Sequence, residues 1–251
     1  YRFERTGNGL ELGHDGYMSI GQRGIRKEKA WDRRTPLGIY FVVDQLDTSR
    51  MHEQYGVTAF PLDYPNTWDR RHNRTGDGIW VHGVPPGGEL RPPRDTDGCI
   101  ALPNEDLRKL ENRFVPLATP VIVTREMRWR SAADIAELGA ELKQAIARWA
   151  EDYGNANLHG YLSTYSNDFS YRGMKLNEWA SFRVQMLKMR GKVSVGVDDL
   201  LLLADPEEPG LFLSRFREVV TSGEGRAATI KRLYWRRADD GSWKIVAEDN
   251  G

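Results

Sequence analysis

Cysteine is almost absent: Cys99 is the single one in 251 residues. No disulfide can form within the chain, so the fold must rest on its own core. A chain of this length buries enough surface to manage that. A lone thiol suits the cytosol and, having no internal partner, suits an oxidising compartment too. Long apolar runs are missing as well. The longest, such as LLLLA at 200–204, fall far short of the roughly 20 residues that span a bilayer, so no membrane span is expected. Net charge is missing: 36 basic residues face 36 acidic ones. Cut after Arg130, the chain has 20 basic and 18 acidic residues before the cut, and 16 and 18 after it. Neither half is a basic surface for nucleic acid or an acidic tail, and no nucleic-acid partner is expected. Metal-ligand spacing is lacking too. His52-Glu53 has no second histidine to complete a zinc helix motif, so no metal and no cofactor are expected. There is no internal repeat, low-complexity tract or signal peptide. The sequence begins with Tyr1, as a mature or trimmed form does, so the last point carries no message about export.

What is present divides in two. Residues 1–128 read as β-rich. YMSIGQRG, LGIYFVVDQL, GIWVHGV and TPVIVTRE carry β-branched and aromatic residues bounded by glycine and proline. Long polar stretches at 61–78 and 84–98 separate them, and loops that long are usually functional or disordered. One short helix is predicted after Pro103, with Asn104 as its N-cap and Leu107, Leu110 and Phe114 at helical spacing. Residues 129–251 open on two helices. Ser131 caps the first, and Ile135, Leu138, Leu142, Ile146 and Trp149 form its apolar stripe. The second runs through LNEWASFRVQMLKMRG and closes at Gly191. Strands follow, ending in a hairpin about the turn DDGS. Helices before an antiparallel sheet predict an α+β domain, with the boundary near residues 126–132.

Chemistry concentrates around Cys99. A thiol needs a base to act at neutral pH. Of the five histidines, His82 alone sits on a β-rich run (Ile79, Trp80, Val81) and is followed by Gly83. His14, His52 and His72 lie in polar or turn-like segments, and His159 lies in the second domain. His82 precedes Cys99 by 17 positions, the reverse of the papain order. Gly98 lets backbone approach a substrate, and amides at such a turn can stabilise an oxyanion. On these residues alone Cys99 is equally a small buried core residue.

Three blocks decide the reading. HGVPPGGELRPPRDTDGCIAL holds His-Gly and then Ser/Thr-x-Gly-Cys, and it resembles the signature of the YkuD-type L,D-transpeptidase catalytic domain. GQRGIRKEKAWDRRTPLGIYFV resembles that family's strand, basic turn and Arg-Thr-Pro segment, and PNEDLRKLENRFVPLATPVIV its closing helix and strand. The resemblance covers about residues 7–126. It implies a mainly-β sandwich and an exported enzyme of the periplasm or cell envelope, acting on stem peptides of peptidoglycan. Cys99 would attack the carbonyl before the terminal D-amino acid of a tetrapeptide stem. His82 would be the base, its second ring nitrogen held by the Gly83 carbonyl. Amides of Gly98 and Cys99 would form the oxyanion hole. The acyl-enzyme would pass to an amine (transpeptidation) or to water (carboxypeptidation). Most members carry His where this chain has Asp97 and Arg where it has Ala101. That variant resembles a subgroup that includes cell-shape L,D-carboxypeptidases of helical bacteria. It also keeps open a wall-binding protein without turnover. Candidate substrate contacts are Arg91, Arg94, Asp95, Thr96 and Asp97 in the loop before Cys99, with Trp80, and Tyr64, Asn66 and Asp69 in a lid over 64–78.

The second domain resembles the nuclear-transport-factor-2-like (NTF2-like) fold, an α+β cone, through the aromatic ladder Trp149, Tyr161, Tyr165, Phe169, Trp179 and Phe182 and a closing strand pair. His159, Asp168 or Tyr165 could line its pocket. The fold hosts enzymes and inert scaffolds alike, so it names no ligand.

Overall fold

The computed structural model describes residues 1–6, 9–88 and 91–251. Glu89 and Leu90, inside the 84–98 stretch, lie outside the described residues. The chain forms two compact units, Tyr1–Arg125 and Glu126–Gly251.

The first unit is built of short strands: β1 (Arg2–Thr6), β2 (Gly9–His14), β3 (Ile20–Gly21), β4 (Gly38–Phe41), β5 (Ala59–Pro61), β6 (Trp80–His82), β7 (Arg94–Thr96), β8 (Ile100–Ala101) and β9 (Pro120–Val123). Among the described residues the α-helices α1 (Thr67–Arg71) and α2 (Asn104–Glu111) and a 3-10 helix at Glu53–Tyr55 interrupt them. β1 and β2 form an antiparallel hairpin, β3 pairs β7 in parallel, and β4 pairs β9 antiparallel. The central sheet runs β5-β6-β8. Leu37, Tyr40, Val42, Phe60, Leu62, Ile79, Val81, Ile100, Leu107 and Val123 make one buried core around these strands.

The first part of the 64–78 stretch, where a lid is expected, packs into the unit. Tyr64 and Trp68 are each only 5% exposed, and Tyr64 Oη donates to Thr75 O at 3.1 Å. Asn66 and Asp69 cap α1 reciprocally: Asp69 N donates to Asn66 Oδ1 at 2.9 Å, and Asn66 N donates to Asp69 Oδ2 at 3.1 Å. Buried Asp69 also takes a bond from Arg74 at 2.9 Å. In the free protein these side chains are engaged in holding the fold. A correction concerns α2. Pro103 occupies its N-cap position without a side-chain bond. Asn104 instead reaches across to the chain beyond β6, where its Nδ2 donates to Val84 O at 2.8 Å and its Oδ1 accepts from Val84 N at 3.1 Å.

The second unit comprises α3 (Ala132–Gly154), α4 (Leu158–Ser163), β10 (Tyr165–Tyr171), β11 (Met174–Lys175), α5 (Leu176–Arg190), β12 (Ser194–Ala204), β13 (Leu211–Ser222), β14 (Gly225–Arg237) and β15 (Trp243–Asp249). Its six-stranded sheet has the order β11-β10-β15-β14-β13-β12, antiparallel except for β10 against β15. Trp149, Tyr153, Tyr161, Tyr165, Phe169, Trp179, Phe216 and Trp235 fill its core. The stripe of α3 starts later than the spacing suggests, because Ile135 is 60% exposed while Leu142, Ile146 and Trp149 are buried. Phe182, at 52% exposure, drops out of the ladder. His159 and Asp168 are exposed, whereas Tyr165 is buried. Arg183 donates to Tyr161 Oη (2.9 Å), and Tyr161 and Tyr165 hydroxyls meet at 3.0 Å. Tyr165 Oη reaches Glu248 Oε2 at 3.1 Å and accepts from Trp149 Nε1 at 3.0 Å. A carboxylate only accepts, so the hydroxyl protons run from Tyr161 to Tyr165 to Glu248.

Candidate active site

β6 and β8 lie side by side in parallel, with Val81 opposite Ile100 and His82 opposite Ala101. Cys99, one residue before β8, therefore falls beside Trp80. Side chains alternate along strands, so Trp80, His82, Cys99 and Ala101 share one face. With adjacent strands about 4.8 Å apart, the diagonal from His82 to Cys99 spans roughly 8 Å between Cα atoms, within reach of an imidazole and a thiol. The 16 intervening residues thus bring the two strands that carry them side by side through a parallel pairing.

His82 is buried at 4% exposure, and its Nδ1 lies 2.7 Å from Gly83 O. A carbonyl only accepts, so Nδ1 carries the hydrogen and Nε2 holds the lone pair. Gly83 N donates in turn to Tyr55 O at 3.0 Å. The Tyr55 ring meets the His82 ring edge-on at 5.4 Å between centroids and lies 5.0 Å from Trp80. Burial pushes the imidazole down to about 4; the Gly83 bond opposes this, and Arg91 adds to it. Cys99 is half-buried, with its Sγ 3.3 Å from Gly78 O. Burial raises its thiol above the ordinary value. The Trp80 amide opposes the rise, Asp97 reinforces it, and Lys27 and Arg91 oppose it. At neutral pH the resting pair is a thiol and an uncharged imidazole.

The turn before Cys99 is tightly braced. Thr96 Oγ1 donates to Cys99 O at 2.7 Å and accepts from Gly98 N at 3.1 Å. Thr35 Oγ1 donates to Gly98 O at 2.9 Å. Gly98 has φ +129°, and a Cβ there would stand 2.7 Å from Arg34 O, so only glycine fits. The Gly98 amide is thus already engaged by Thr96, and Thr96 is a buried brace of the turn. Asp97 points to solvent at 81% side-chain exposure, with Arg33 Nε 3.5 Å away. Arg91 grips Asp95 through Nε (2.9 Å) and the Asp95 carbonyl through Nη2 (2.8 Å). Arg94 is exposed at the head of β7, and Trp80 is half-buried.

Three contributors escape motif reading. Tyr55 covers the imidazole, Asn104 pins the strand exit after Gly83, and Lys27 brings a buried cation near the thiol. Lys27 is 4% exposed, and its Nζ donates to Asp32 Oδ1 at 2.9 Å. Among the described residues no group of three His, Cys, Asp or Glu could hold a metal ion.

The architecture matches known families over both units. Residues 6–123 match the family model of the L,D-transpeptidase catalytic domain (YkuD), and residues 141–249 match that of the Cds6 C-terminal NTF2-like domain. The protein is thus an N-terminal YkuD-type domain followed by an NTF2-like domain. Among solved structures, the helical cell shape determining protein Pgp2 from Campylobacter jejuni is 26% identical, with a TM-score of 0.74 over 92% of this chain and 80% of that one. A point mutant of Pgp2 gives 27% and 0.71 over 92% and 79%. Bd1075 from Bdellovibrio bacteriovorus shares the fold at 23% identity and a TM-score of 0.79, over 99% of this chain and 87% of that one. No curated protein matches the sequence.

Proposed function

We propose that the protein remodels peptidoglycan as a cysteine L,D-transpeptidase, acting on tetrapeptide stems in the periplasm or cell envelope through a Cys99 acyl-enzyme. The observation that carries this is the His82 Nδ1–Gly83 O contact, which puts the lone pair on Nε2, on the face shared with Cys99. The L,D-transpeptidase family match supports the substrate class. Because both partners rest uncharged, proton transfer accompanies attack. Nε2 takes the thiol proton as sulfur bonds to the carbonyl carbon before the terminal D-amino acid. The Cys99 amide receives the oxyanion, joined by the Gly98 amide if it releases Thr96 Oγ1. The imidazolium then protonates the leaving nitrogen, the C–N bond breaks, and a thioester remains. An incoming amine attacks the thioester carbonyl while His82 takes its proton; the C–S bond breaks and the proton returns to the Cys99 sulfur. Exposed Arg94 can meet a stem carboxylate, whereas Arg91 first has to loosen from Asp95.

A second reading, with water as acceptor, is an L,D-carboxypeptidase. Pairing with a Cds6-type second domain and likeness to a cell-shape protein favour it. Mass spectrometry of tetrapeptide muropeptides, with a free D-amino acid present and Cys99→Ala as control, tests both. Exchanged or cross-linked product supports the transpeptidase, and tripeptide alone supports the carboxypeptidase. An unchanged substrate that still binds would overturn both in favour of a wall-binding protein. Among the described residues no helix is long and apolar enough to cross a membrane.

A further inference from the structure

The loop bordering the Cys99 turn carries a feature that bond chemistry at Cys99 does not use. Trp31 is 94% exposed, although the chain around it is firmly held. Asp32 accepts from Glu28 N (2.8 Å), Lys29 N (3.0 Å) and Arg34 N (3.1 Å), and Ala30 N donates to Thr75 Oγ1 at 3.2 Å. Trp31 itself sits at φ +62°, a backbone conformation that a bulky residue adopts only at a cost. The loop thus holds an indole in solvent on a fixed mount. The same loop lines a cavity of about 390 Å³, walled by Arg26, Glu28, Lys29, Asp32 and Arg34.

We infer that Trp31 and this cavity bind the glycan strand that carries the stem peptide. The inference rests on the peptidoglycan reading above. Three observations favour a sugar. An indole face suits the C–H face of a pyranose ring. The lining carries both signs of charge, which suits hydroxyl and amide groups of a neutral ring better than an anion. The spacing also fits. Arg34 O touches the Gly98 turn, and Trp31 lies three residues away, at most about 11 Å along the chain. The three stem residues between sugar and reacting carbonyl span a similar roughly 10 Å when extended. An N-acetylhexosamine on Trp31 would thus leave the stem long enough to reach Cys99.

The test compares a disaccharide-tetrapeptide with the free tetrapeptide as substrates of wild type, Trp31→Ala and Trp31→Tyr. Trp31→Ala is expected to raise KM about tenfold on the disaccharide substrate, with kcat and the free-peptide KM unchanged; Trp31→Tyr recovers most of the loss. An equal rise on both substrates, or none on either, overturns the inference. A wild type that turns over neither substrate defeats the catalytic reading instead. The sugar site is then judged by titrating chitotetraose into Cys99→Ala protein. Binding that weakens about tenfold on adding Trp31→Ala supports it; unchanged binding, or none, overturns it.

Discussion

His82 makes the fold itself sensitive to pH, and the size of the effect follows from its burial. Its folded-state pKa is about 4, against 6.5 for an ordinary histidine. Each tenfold difference in proton affinity is worth roughly 1.4 kcal/mol, so the gap amounts to about 3 kcal/mol. The sign follows from proton counting. Between the two values the unfolded chain binds the proton and the native state does not, so acid favours unfolding. The contribution is complete above about pH 6.5 and drains away as pH falls towards 4, with about 2 kcal/mol gone by pH 5. That is a sizeable part of the roughly 5–15 kcal/mol a domain has. Urea unfolding of wild type and His82→Asn at pH 7.5 and pH 5 isolates the effect, since the other four histidines are common to both proteins. The stability of wild type relative to the variant should fall by about 2 kcal/mol on acidification. A parallel NMR titration should show the His82 ring unchanged from pH 8 to pH 5. Parallel stability curves, or a ring that titrates near 6.5, would refute the buried neutral imidazole and with it the uncharged resting pair.

Four further outcomes follow. Gly98→Ala forces a Cβ onto Arg34 O at a left-handed φ, and should lower urea stability by about 1–3 kcal/mol while abolishing acylation of Cys99. Asp32→Asn strips buried Lys27 of its carboxylate and should cost about 3–5 kcal/mol, read as a drop in Tm. Tyr165→Phe leaves Trp149 Nε1 and Glu248 Oε2 short of a partner; a loss of about 2 kcal/mol in thermal unfolding is expected, with L,D-activity retained. Iodoacetamide should label Cys99 slowly at pH 7 and faster with each step to pH 9, because burial holds the thiol up; a rate already flat from pH 5 would indicate a preformed thiolate–imidazolium pair.

Much of the fold was legible because periodicity reports burial. GIWVHGV and TPVIVTRE are strands since their β-branched residues have to alternate between core and surface. Composition misled at 61–78. Asn, Asp, Arg and Gly dominate that stretch, yet Tyr64 and Trp68 anchor its first part in the core, and Asn66 with Asp69 satisfies the backbone there. Asn104 misled by type, being a good capping residue at a helix start whose amide is drawn instead to the unpaired backbone of Val84. Ile135 and Phe182 continue a helical stripe past the end of the surface that could cover them, and no local pattern records where that surface stops.

The candidate site was legible in Cys99 and His82 and illegible in their charge. Cys99 and His82 stand out by residue type, order and glycine neighbours. Their protonation is set by their surroundings: burial holds the imidazole down and the thiol up, while the Gly83 carbonyl and the Trp80 amide oppose those shifts. A charged pair would be reactive toward any electrophile that diffused in. On the proposed mechanism an uncharged pair acts only when a carbonyl is placed so that proton transfer and attack coincide, which would make substrate positioning part of the activation of Cys99. The braced turn 96–99 and the rigid loop carrying Trp31 lie against each other at Arg34 and Gly98, so the elements that could hold a substrate also hold the thiol.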